Sequence, residues 1–176
     1  MPIPTMVVGL EPLFATHFNK NKFPHKGDEI PFHIFDYCLY LSQYDSKHNN
    51  NYFIACVDNF TRQCRMLSDT NMYWYAVNIK LESIDDIHPE TYGLDRIGNY
   101  PFLMIFGYGY IGIYDSCYQL IVSIPNACCY IREIIRIYLE KYPKDANKFV
   151  DIYKQLAYME TYPEKWIKEA SNASLE

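Results

Sequence analysis

The sequence contains no concentrated basic segment and no long apolar run. Its 176 residues include 16 Lys and Arg against 21 Asp and Glu, which gives a formal net charge of −5. Nucleic-acid-binding surfaces are usually basic patches or stripes, so we expect no nucleic-acid partner. No stretch approaches the roughly 20 apolar residues of a membrane-spanning helix. Residues 1–9 also lack the cationic start and the apolar run of a signal peptide. We therefore expect a cytoplasmic protein without a membrane span.

The cysteines and histidines show no spacing typical of a metal site or a disulfide framework. The six cysteines stand at positions 38, 56, 64, 117, 128 and 129, and the five histidines at 17, 25, 33, 48 and 88. A structural zinc site needs four convergent ligands at a recognisable spacing, and this pattern offers none. We therefore expect reduced, mostly buried thiols, no metal and no cofactor.

Hydrophobic patterning predicts one α/β unit with a large core. Of all residues, 49% are hydrophobic and 17% are aromatic, a composition that argues against disorder. Periodicity and turn residues predict helices at 31–44, 61–69, 84–92 and 125–142, and strands at 52–57, 72–80, 102–106 and 110–114. Residues 1–27, which contain four prolines, are predicted to form an extended arm with at most one short strand. Two further helices are predicted, one capped by Asp145 and one opened by Pro163.

The segment 91–115 is typical of a strand hairpin. Pro101 lacks an N–H and so belongs at the start of a strand or in a turn. Gly107 and Gly109 flank a single residue between two apolar runs, which indicates a hairpin turn. The spacing from Gly107 to Gly112 also matches part of a phosphate-binding loop, but it lies between predicted strands rather than before a helix. We therefore predict a hairpin here and no nucleotide site.

Two segments resemble the thioredoxin fold. In 91–115, a Tyr-Gly pair, a short loop and Tyr100-Pro101 lead into the hairpin, as in that family, where the proline is cis. In 51–67, a predicted strand leads into Thr61-Arg62-Gln63-Cys64, at the place of the family's Cys-x-x-Cys motif. The resemblance implies a thioredoxin-like mixed sheet flanked by helices over residues 28–142. Residues 1–27 are then an arm, and residues 143–176 a C-terminal helical extension.

The redox chemistry that the resemblance implies is degenerate. Three family positions are changed: Phe60 stands in place of the Trp, Thr61 in place of the attacking cysteine and Ala55 in place of the buried acid. The second cysteine is retained as Cys64. Cys64, with Thr61 beside it, is the candidate catalytic site, since a helix N-terminus and the neighbouring arginines would lower the thiol pKa. The structural alternative is that Thr61 caps the helix and Cys64 is a small buried side chain.

A peroxidase using Cys64 is a further alternative. The pair Thr61 and Cys64 also resembles part of the peroxiredoxin motif, although Val57 stands where that motif has proline. The sequence does not place the partner arginine of that motif; Arg132 and Arg136 are conceivable only in space. This hypothesis and a thiol oxidoreductase are the two enzymatic interpretations of the chain.

Tyr100 and Pro101 suggest a peptide-binding role. In the thioredoxin family the backbone before this proline pairs with an extended peptide like an added strand. The resemblance therefore marks Phe60, Tyr100 and Pro101 as peptide-binding residues of a chaperone or adaptor. The alternative is a turn that holds no ligand.

The eighteen tyrosines favour a role in protein interaction, because tyrosine is enriched in binding surfaces. Six aromatic residues are candidate surface anchors: Tyr108, Tyr110, Tyr153, Tyr158, Tyr162 and Trp166. Our leading hypothesis is a redox-inactive thioredoxin-fold protein that acts as a binding or assembly component with a protein partner. The abundance of Tyr, Asn, Ile and Lys fits an AT-rich coding genome. The most specific form of the hypothesis is thus a minor capsid-associated structural protein of a large DNA virus, located in the virion.

Overall fold

A computed structural model of the chain describes residues 12–44, 52–67, 72–84, 90–109 and 117–173. The helices of this part are α1 (Leu13–Thr16), α2 (Ile30–Tyr44), α3 (Tyr52–Arg62), α4 (Ile124–Lys141), α5 (Val150–Thr161) and α6 (Pro163–Ala173). The strands are β1 (Arg65–Leu67), β2 (Met72–Asn78), β3 (Glu90–Tyr92), β4 (Phe102–Gly109) and β5 (Cys117–Ser123). Two 3-10 helices, Leu94–Arg96 and Pro143–Phe149, precede β4 and α5.

The strands form one mixed sheet in the order β1-β2-β4-β5-β3. Neighbouring strands are antiparallel except β3 and β5, which are parallel. Trp74 stands opposite Phe106, and Phe106 opposite Leu120. All three side chains belong to the main core, which they share with residues of α2, α3 and α4. The predicted α/β class, a mixed sheet flanked by helices, is confirmed.

Both faces of the sheet carry buried apolar side chains. The face toward the helices contributes to the main core, and the opposite face holds a smaller cluster: Val77, Leu103, Ile105 and Ile121. Because both faces are covered, β4 has a nearly continuous apolar sequence instead of a simple alternation. The predicted strand at 102–106 is therefore present within β4, and the strand predicted at 72–80 is present as β2.

The long helices of the sequence prediction are also confirmed. The helix predicted at 31–44 is α2, the one at 125–142 is α4, and the one opened by Pro163 is α6. The Ser123 hydroxyl accepts a hydrogen bond from the Asn126 backbone N–H and so caps α4. Arg136 and Glu140, four positions apart on α4, form an ion pair.

The N-terminal segment and the C-terminal helices contribute to the same core as the sheet. Phe14 and Phe23 from the N-terminal side are buried there, as are Phe149 and Trp166 from the C-terminal side. The Phe14 ring stacks on Phe53 with ring centroids 5.1 Å apart. Burial of a side chain of this size contributes roughly 1.5–3 kcal/mol, so both end segments stabilise the central sheet.

The predicted extended arm is wrong in its described part, because residues 13–16 form helix α1. The Asp36 carboxylate accepts hydrogen bonds from the backbone N–H groups of Phe14 and Ala15, at 2.6 and 2.8 Å. These are N–H groups of the first helical turn, which have no partner within the helix. A side chain from α2 therefore caps α1, a contact that local sequence does not reveal.

The predicted strand at 52–57 is wrong, because this segment is the first half of α3. Its buried side chains are Phe53, Cys56, Val57 and Phe60, with Thr61 beside them. Phe53, Cys56, Val57 and Phe60 are separated by three, one and three positions, which is the spacing of one helix face. The short apolar run 53–57 suits a strand equally well, so a short window could not distinguish the two.

The predicted helix at 61–69 is wrong as a consequence. Helix α3 ends at Arg62, and β1 follows at Arg65–Leu67. Residues 68 and 69 lie outside the described residues. The helix predicted at 84–92 is wrong at its C-terminal end, where Glu90–Tyr92 is strand β3; residues 85–89 are also outside the described ranges.

The predicted hairpin turn at 107–109 is wrong, because β4 continues as a strand to Gly109. Gly107 lies opposite Tyr73 on β2. A Cβ at position 107 would lie 1.9 Å from Cζ of the Tyr73 ring. Glycine is therefore required for close packing across the sheet and not for a turn. The second hairpin strand, predicted at 110–114, lies outside the described residues.

The predicted helix after Asp145 is displaced toward the C-terminus. A 3-10 helix runs from Pro143 to Phe149, and α5 begins at Val150. Asp145 does not cap α5, since its carboxylate accepts a 2.6 Å hydrogen bond from the Tyr138 hydroxyl and pairs with Lys148. Tyr138 on α4 thus holds the start of the C-terminal segment.

Several of these corrections fall in segments 51–67 and 91–115, on which the thioredoxin resemblance was based. The first is a helix, a short connection and a strand, where the resemblance implies a strand and then a helix. In the second, the implied cis proline is wrong, since the peptide bonds of the described residues include no cis bond.

Candidate functional site

Cys64, the candidate catalytic residue, lies in the short connection between α3 and β1 and is buried at 5% exposure. Its thiol lies 3.2 Å from the backbone carbonyl of Ile167, to which it donates. The Ser171 hydroxyl lies 3.4 Å from its Sγ. Both partners belong to α6, so the C-terminal helix covers the thiol.

The surroundings of Cys64 oppose thiolate formation. Burial raises the pKa of the Cys64 thiol and Glu82 adds to this, whereas Ser171 and Arg65 lower it to a smaller extent. The expectation of a lowered pKa was wrong because burial outweighs the neighbouring Arg65, and because Cys64 follows the end of α3 instead of standing at a helix N-terminus. A thiol that stays protonated at neutral pH is a weak nucleophile.

Thr61 lies in the last turn of α3 and is buried. Its hydroxyl donates a 2.7 Å hydrogen bond to the Asp58 carbonyl of the preceding turn. Its own carbonyl accepts a 2.7 Å hydrogen bond from the indole N–H of Trp166. Thr61 therefore does not cap a helix N-terminus. Its hydroxyl bonds within α3, and its carbonyl connects α3 to α6.

Of the three proposed peptide-binding residues, Phe60 lies on the opposite face of the sheet from Tyr100 and its neighbour Pro101. Phe60 is fully buried in the main core, stacked on Phe106 with ring centroids 5.9 Å apart. Tyr100 packs against the smaller cluster on the opposite face of the sheet. The backbone at this point is already used, because Tyr100 N–H donates to Ile97 and Pro101 accepts from Ile79, each at 3.0 Å.

A solvent-open groove of about 500 Å³ lies at the bend between α5 and α6. Its lining is contributed by the helix bend and by the start of β4: Phe102, Thr161, Tyr162, Pro163, Glu164, Lys165 and Lys168. The bend follows from Pro163, whose missing N–H and ring prevent α5 from continuing in a straight line. Tyr162 is 55% exposed, so a large aromatic side chain faces solvent at this position.

Aromatic and lysine side chains lie close together at this groove, which we call the α5–α6 groove. The rings of Tyr158 and Tyr162 lie 5.6 Å apart, and the Lys165 ammonium lies 5.9 Å from the centre of the Tyr158 ring. Lys165 pairs with Glu169 at 3.9 Å and Lys168 pairs with Glu164 at 3.4 Å, all on exposed side chains. Such surface pairs contribute little, so the lysines can exchange these partners for others.

Of the six predicted surface anchors, Tyr153 and Tyr162 are exposed, and Tyr158 is half-buried. Tyr108 and Trp166 are wrong, since both are 2% exposed. Tyr108 points into the main core from β4, and Trp166 lies on the buried face of α6. Tyr110 lies outside the described residues. Composition alone could not separate the two groups.

Sequence analysis missed a buried polar network beside a cleft of about 360 Å³. Asp28 is 1% exposed and accepts hydrogen bonds from Tyr130 at 2.7 Å, from Arg96 at 3.0 Å and from the His25 backbone N–H at 3.0 Å. These partners are up to 102 residues apart in the chain, so no local pattern indicates them. The network ties the N-terminal segment to α4 and to the turn before β4.

Neither a metal centre nor a membrane-spanning helix is found in the part of the chain that the structure describes. No group of three or more His, Cys, Asp or Glu side chains within the described ranges is arranged to hold a metal ion. Within the same ranges, every helix is too short or too polar to cross a bilayer. His48 and His88 lie outside these ranges.

No protein-family model matches the sequence, and no curated protein matches it. Among solved structures, the chain is similar to the crystal structure of an immunity protein from Neisseria meningitidis, with a TM-score of 0.54 and 18% sequence identity. The similarity covers 84% of this chain and 99% of the other. At this identity the likeness shows the fold alone, a sheet flanked by helices.

Proposed function

We propose that this protein acts by binding another protein, with the α5–α6 groove as part of the contact surface. The observation that carries the proposal is the groove itself, where Tyr162 is largely exposed beside Pro163 and Phe102. Tyrosine is among the residues that most often dominate binding energy, because it combines a large apolar area with a polar tip.

The charges of the groove indicate which partner surface would fit. Its lining includes Lys165 and Lys168 but only one acid, Glu164, in a chain with a net charge of −5. The existing ion pairs are exposed and long, so an incoming carboxylate can replace them at small cost. We therefore propose a partner that presents an acidic side chain next to an apolar one.

Two further observations favour binding over thiol catalysis at the predicted site. Cys64 is covered by α6, and burial raises its pKa, so this thiol lacks the thiolate character of a catalytic cysteine. The structurally similar protein is named an immunity protein, and immunity proteins of the colicin type act by very tight binding to a protein partner. A mode of action by occupancy of a partner surface is consistent with both observations.

The proposal can be tested by site-specific photo-crosslinking in cells that express the protein. A photoreactive phenylalanine at Tyr162 should crosslink to one protein partner. The matched control is the same probe at Val150, which is also exposed but lies at the other end of α5, roughly 18 Å away along the axis. Equal crosslinking from both positions, or none from position 162, would contradict the proposal.

The charge part of the proposal has its own test with the crosslinked partner in purified form. Tyr162→Ala should weaken binding about 10-fold or more, as expected for an aromatic anchor. The double change Lys165→Glu and Lys168→Glu should weaken it further, whereas Lys154→Glu on the exposed surface of α5 should not. Light scattering of the protein alone distinguishes a second copy of this chain as the partner from a different protein.

A further inference from the structure

The helices α2 and α3 run in opposite directions, and their alignment is fixed by one serine. The Ser42 hydroxyl donates a 3.1 Å hydrogen bond to the Cys38 carbonyl in its own helix. It also accepts a 2.6 Å hydrogen bond from the Phe53 backbone N–H at the start of α3. The end of α2 is thus held against the beginning of α3.

This alignment places Cys38 opposite Cys56. Residue 38 is one turn back along α2 from Ser42, and residue 56 is about one turn forward along α3 from Phe53. In two helices of opposite direction these positions lie at the same level. Both side chains belong to the main core, and each thiol alters the pKa of the other, so the two thiols are neighbours.

The pair is buried but lies next to the surface. Cys38 is 1% exposed and Cys56 is 4% exposed, whereas Tyr52, whose hydroxyl bonds to Cys56, is 41% exposed. Hydrogen bonds from the Cys38 thiol and from Tyr52 lower the pKa of Cys56, and the interaction with Cys56 raises the pKa of Cys38. The interaction therefore favours the thiolate on Cys56 over the thiolate on Cys38, whereas the pKa of Cys64 is shifted upward.

We propose that Cys38 and Cys56 form a dithiol that peroxide oxidises to an intramolecular disulfide joining α2 to α3. In the first step the Cys56 sulfur attacks hydrogen peroxide and the O–O bond breaks. A sulfenic acid forms, and the leaving hydroxide takes up the proton of the Cys56 thiol as water. In the second step the Cys38 sulfur attacks the Cys56 sulfur, the S–O bond breaks, and the leaving hydroxide takes the Cys38 proton as water. In total, two thiols are oxidised and one peroxide is reduced to two waters.

The disulfide would close a loop that contains the connection between α2 and α3. Crosslinking two positions of the chain restricts the unfolded state, and the gain grows with the length of the closed loop. We therefore expect the oxidised protein to unfold several degrees higher than the reduced protein. Thiol reductant should reverse the change.

The test uses the full chain with Cys129→Ser, which removes an exposed thiol that would otherwise form intermolecular bonds. After treatment with hydrogen peroxide, the native protein should lose the mass of two hydrogen atoms, and peptide mapping should find Cys38 linked to Cys56. Cys64→Ser should behave in the same way, whereas Cys56→Ser should give no intramolecular disulfide.

Peptide mapping of the Cys129→Ser protein, in which Cys38 and Cys56 are intact, tests the proposal even if Cys56→Ser does not fold. A disulfide that includes Cys64 or Cys128, or oxidation to sulfinic acid without any disulfide, would overturn the proposal. The proposal would also be overturned if Cys38 and Cys56 both stay reduced in the folded protein under peroxide and react only after the protein is unfolded without reductant.

Discussion

The indole N–H of Trp166 on α6 donates a 2.7 Å hydrogen bond to the backbone carbonyl of Thr61 at the end of α3. The next residue along α6, Ile167, accepts a hydrogen bond from the Cys64 thiol through its carbonyl, and Ser171, about one turn further, also contacts this thiol. A helix from the C-terminal end of the chain thus closes the segment that the sequence marked as a redox site. The contact is specific, because an indole has one donor and the buried carbonyl needs one partner.

We expect Trp166→Phe to destabilise the protein and to uncover Cys64. The change keeps most of the apolar contact but leaves the Thr61 carbonyl without this donor, which costs roughly 1–3 kcal/mol when the group is buried. Urea unfolding gives the free-energy change, and alkylation of the native protein, read by mass spectrometry, gives the labelling rate of Cys64. We expect slow labelling in the wild type and clearly faster labelling in the variant.

The control is Lys168→Ala, an exposed change on the same helix, which should alter neither quantity. Rapid alkylation of Cys64 in the wild type, with a pKa below the ~8.5 of a free thiol, would show that α6 does not protect it.

We expect Gly107→Ala to be strongly destabilising. A Cβ at this position would lie 1.9 Å from Cζ of the Tyr73 ring, so the ring or the strand must move, at a cost of about 3 kcal/mol or more. The matched control is Gly98→Ala, where φ is +53° and no atom lies within 4 Å of the new Cβ. That change should cost only the roughly 1–2 kcal/mol of a left-handed backbone.

A double mutant tests the cause. If the Tyr73 ring is responsible, the double variant Tyr73→Leu with Gly107→Ala should lose less unfolding free energy than the two single variants lose in sum. Additive effects in the cycle would mean that the glycine is required for another reason.

The outcome at Gly107 illustrates how far sequence alone could lead. Long segments with a clear period, such as α2 and α4, were predicted with nearly correct ends, since a helix face repeats over many residues. Position 107 was misassigned to a turn because its glycine is required by the ring of Tyr73, which lies opposite it on another strand. The segment 52–57 was misassigned because five or six apolar residues satisfy both a helix face and a strand.

For the candidate sites, too, the sequence could not report what depends on contacts between distant elements. Tyr162 was proposed as a surface anchor from tyrosine abundance alone, which also proposed the buried Tyr108 and Trp166. Cys64 was expected at the start of a helix, whereas it follows the end of α3 under the cover of α6, and this burial raises its pKa instead of lowering it. The pairing of Cys38 with Cys56 depends on the packing of two helices, which no spacing in the sequence reports.

We expect Tyr130→Phe to lower stability through Asp28. The Tyr130 hydroxyl is one of three donors to a carboxylate that is almost fully buried, and a hydrogen bond to a charged group contributes roughly 1.5–3 kcal/mol. Urea unfolding of the variant measures the loss. The control is Tyr153→Phe on the exposed side of α5, which should leave stability within about 0.5 kcal/mol. Equal stability of the two variants would mean that Asp28 is satisfied by Arg96 and His25 alone.

We expect stability to fall as pH rises from about 4 to about 7, because of Asp36. Burial raises the pKa of this carboxyl to about 7, and the hydrogen bonds from Phe14 and Ala15 oppose the shift only in part. In this pH range the folded state holds a proton that the unfolded state has released, so raising the pH favours unfolding. The difference amounts to roughly 4 kcal/mol at most and is complete above pH 7.

Asp36→Asn separates this effect from other titrating groups. The amide cannot ionise, so the variant should lose the Asp36 part of the slope, although it also weakens the cap on α1 at every pH. Glu133 titrates in the opposite sense, because Arg136 and Lys22 lower its pKa, and this contribution stays in both proteins. Urea unfolding of both at pH 5 and pH 8 gives the comparison: the wild type should lose more stability between these values than the variant does. Identical slopes would mean that Asp36 is ionised throughout this range and that α1 is capped by a charged carboxylate.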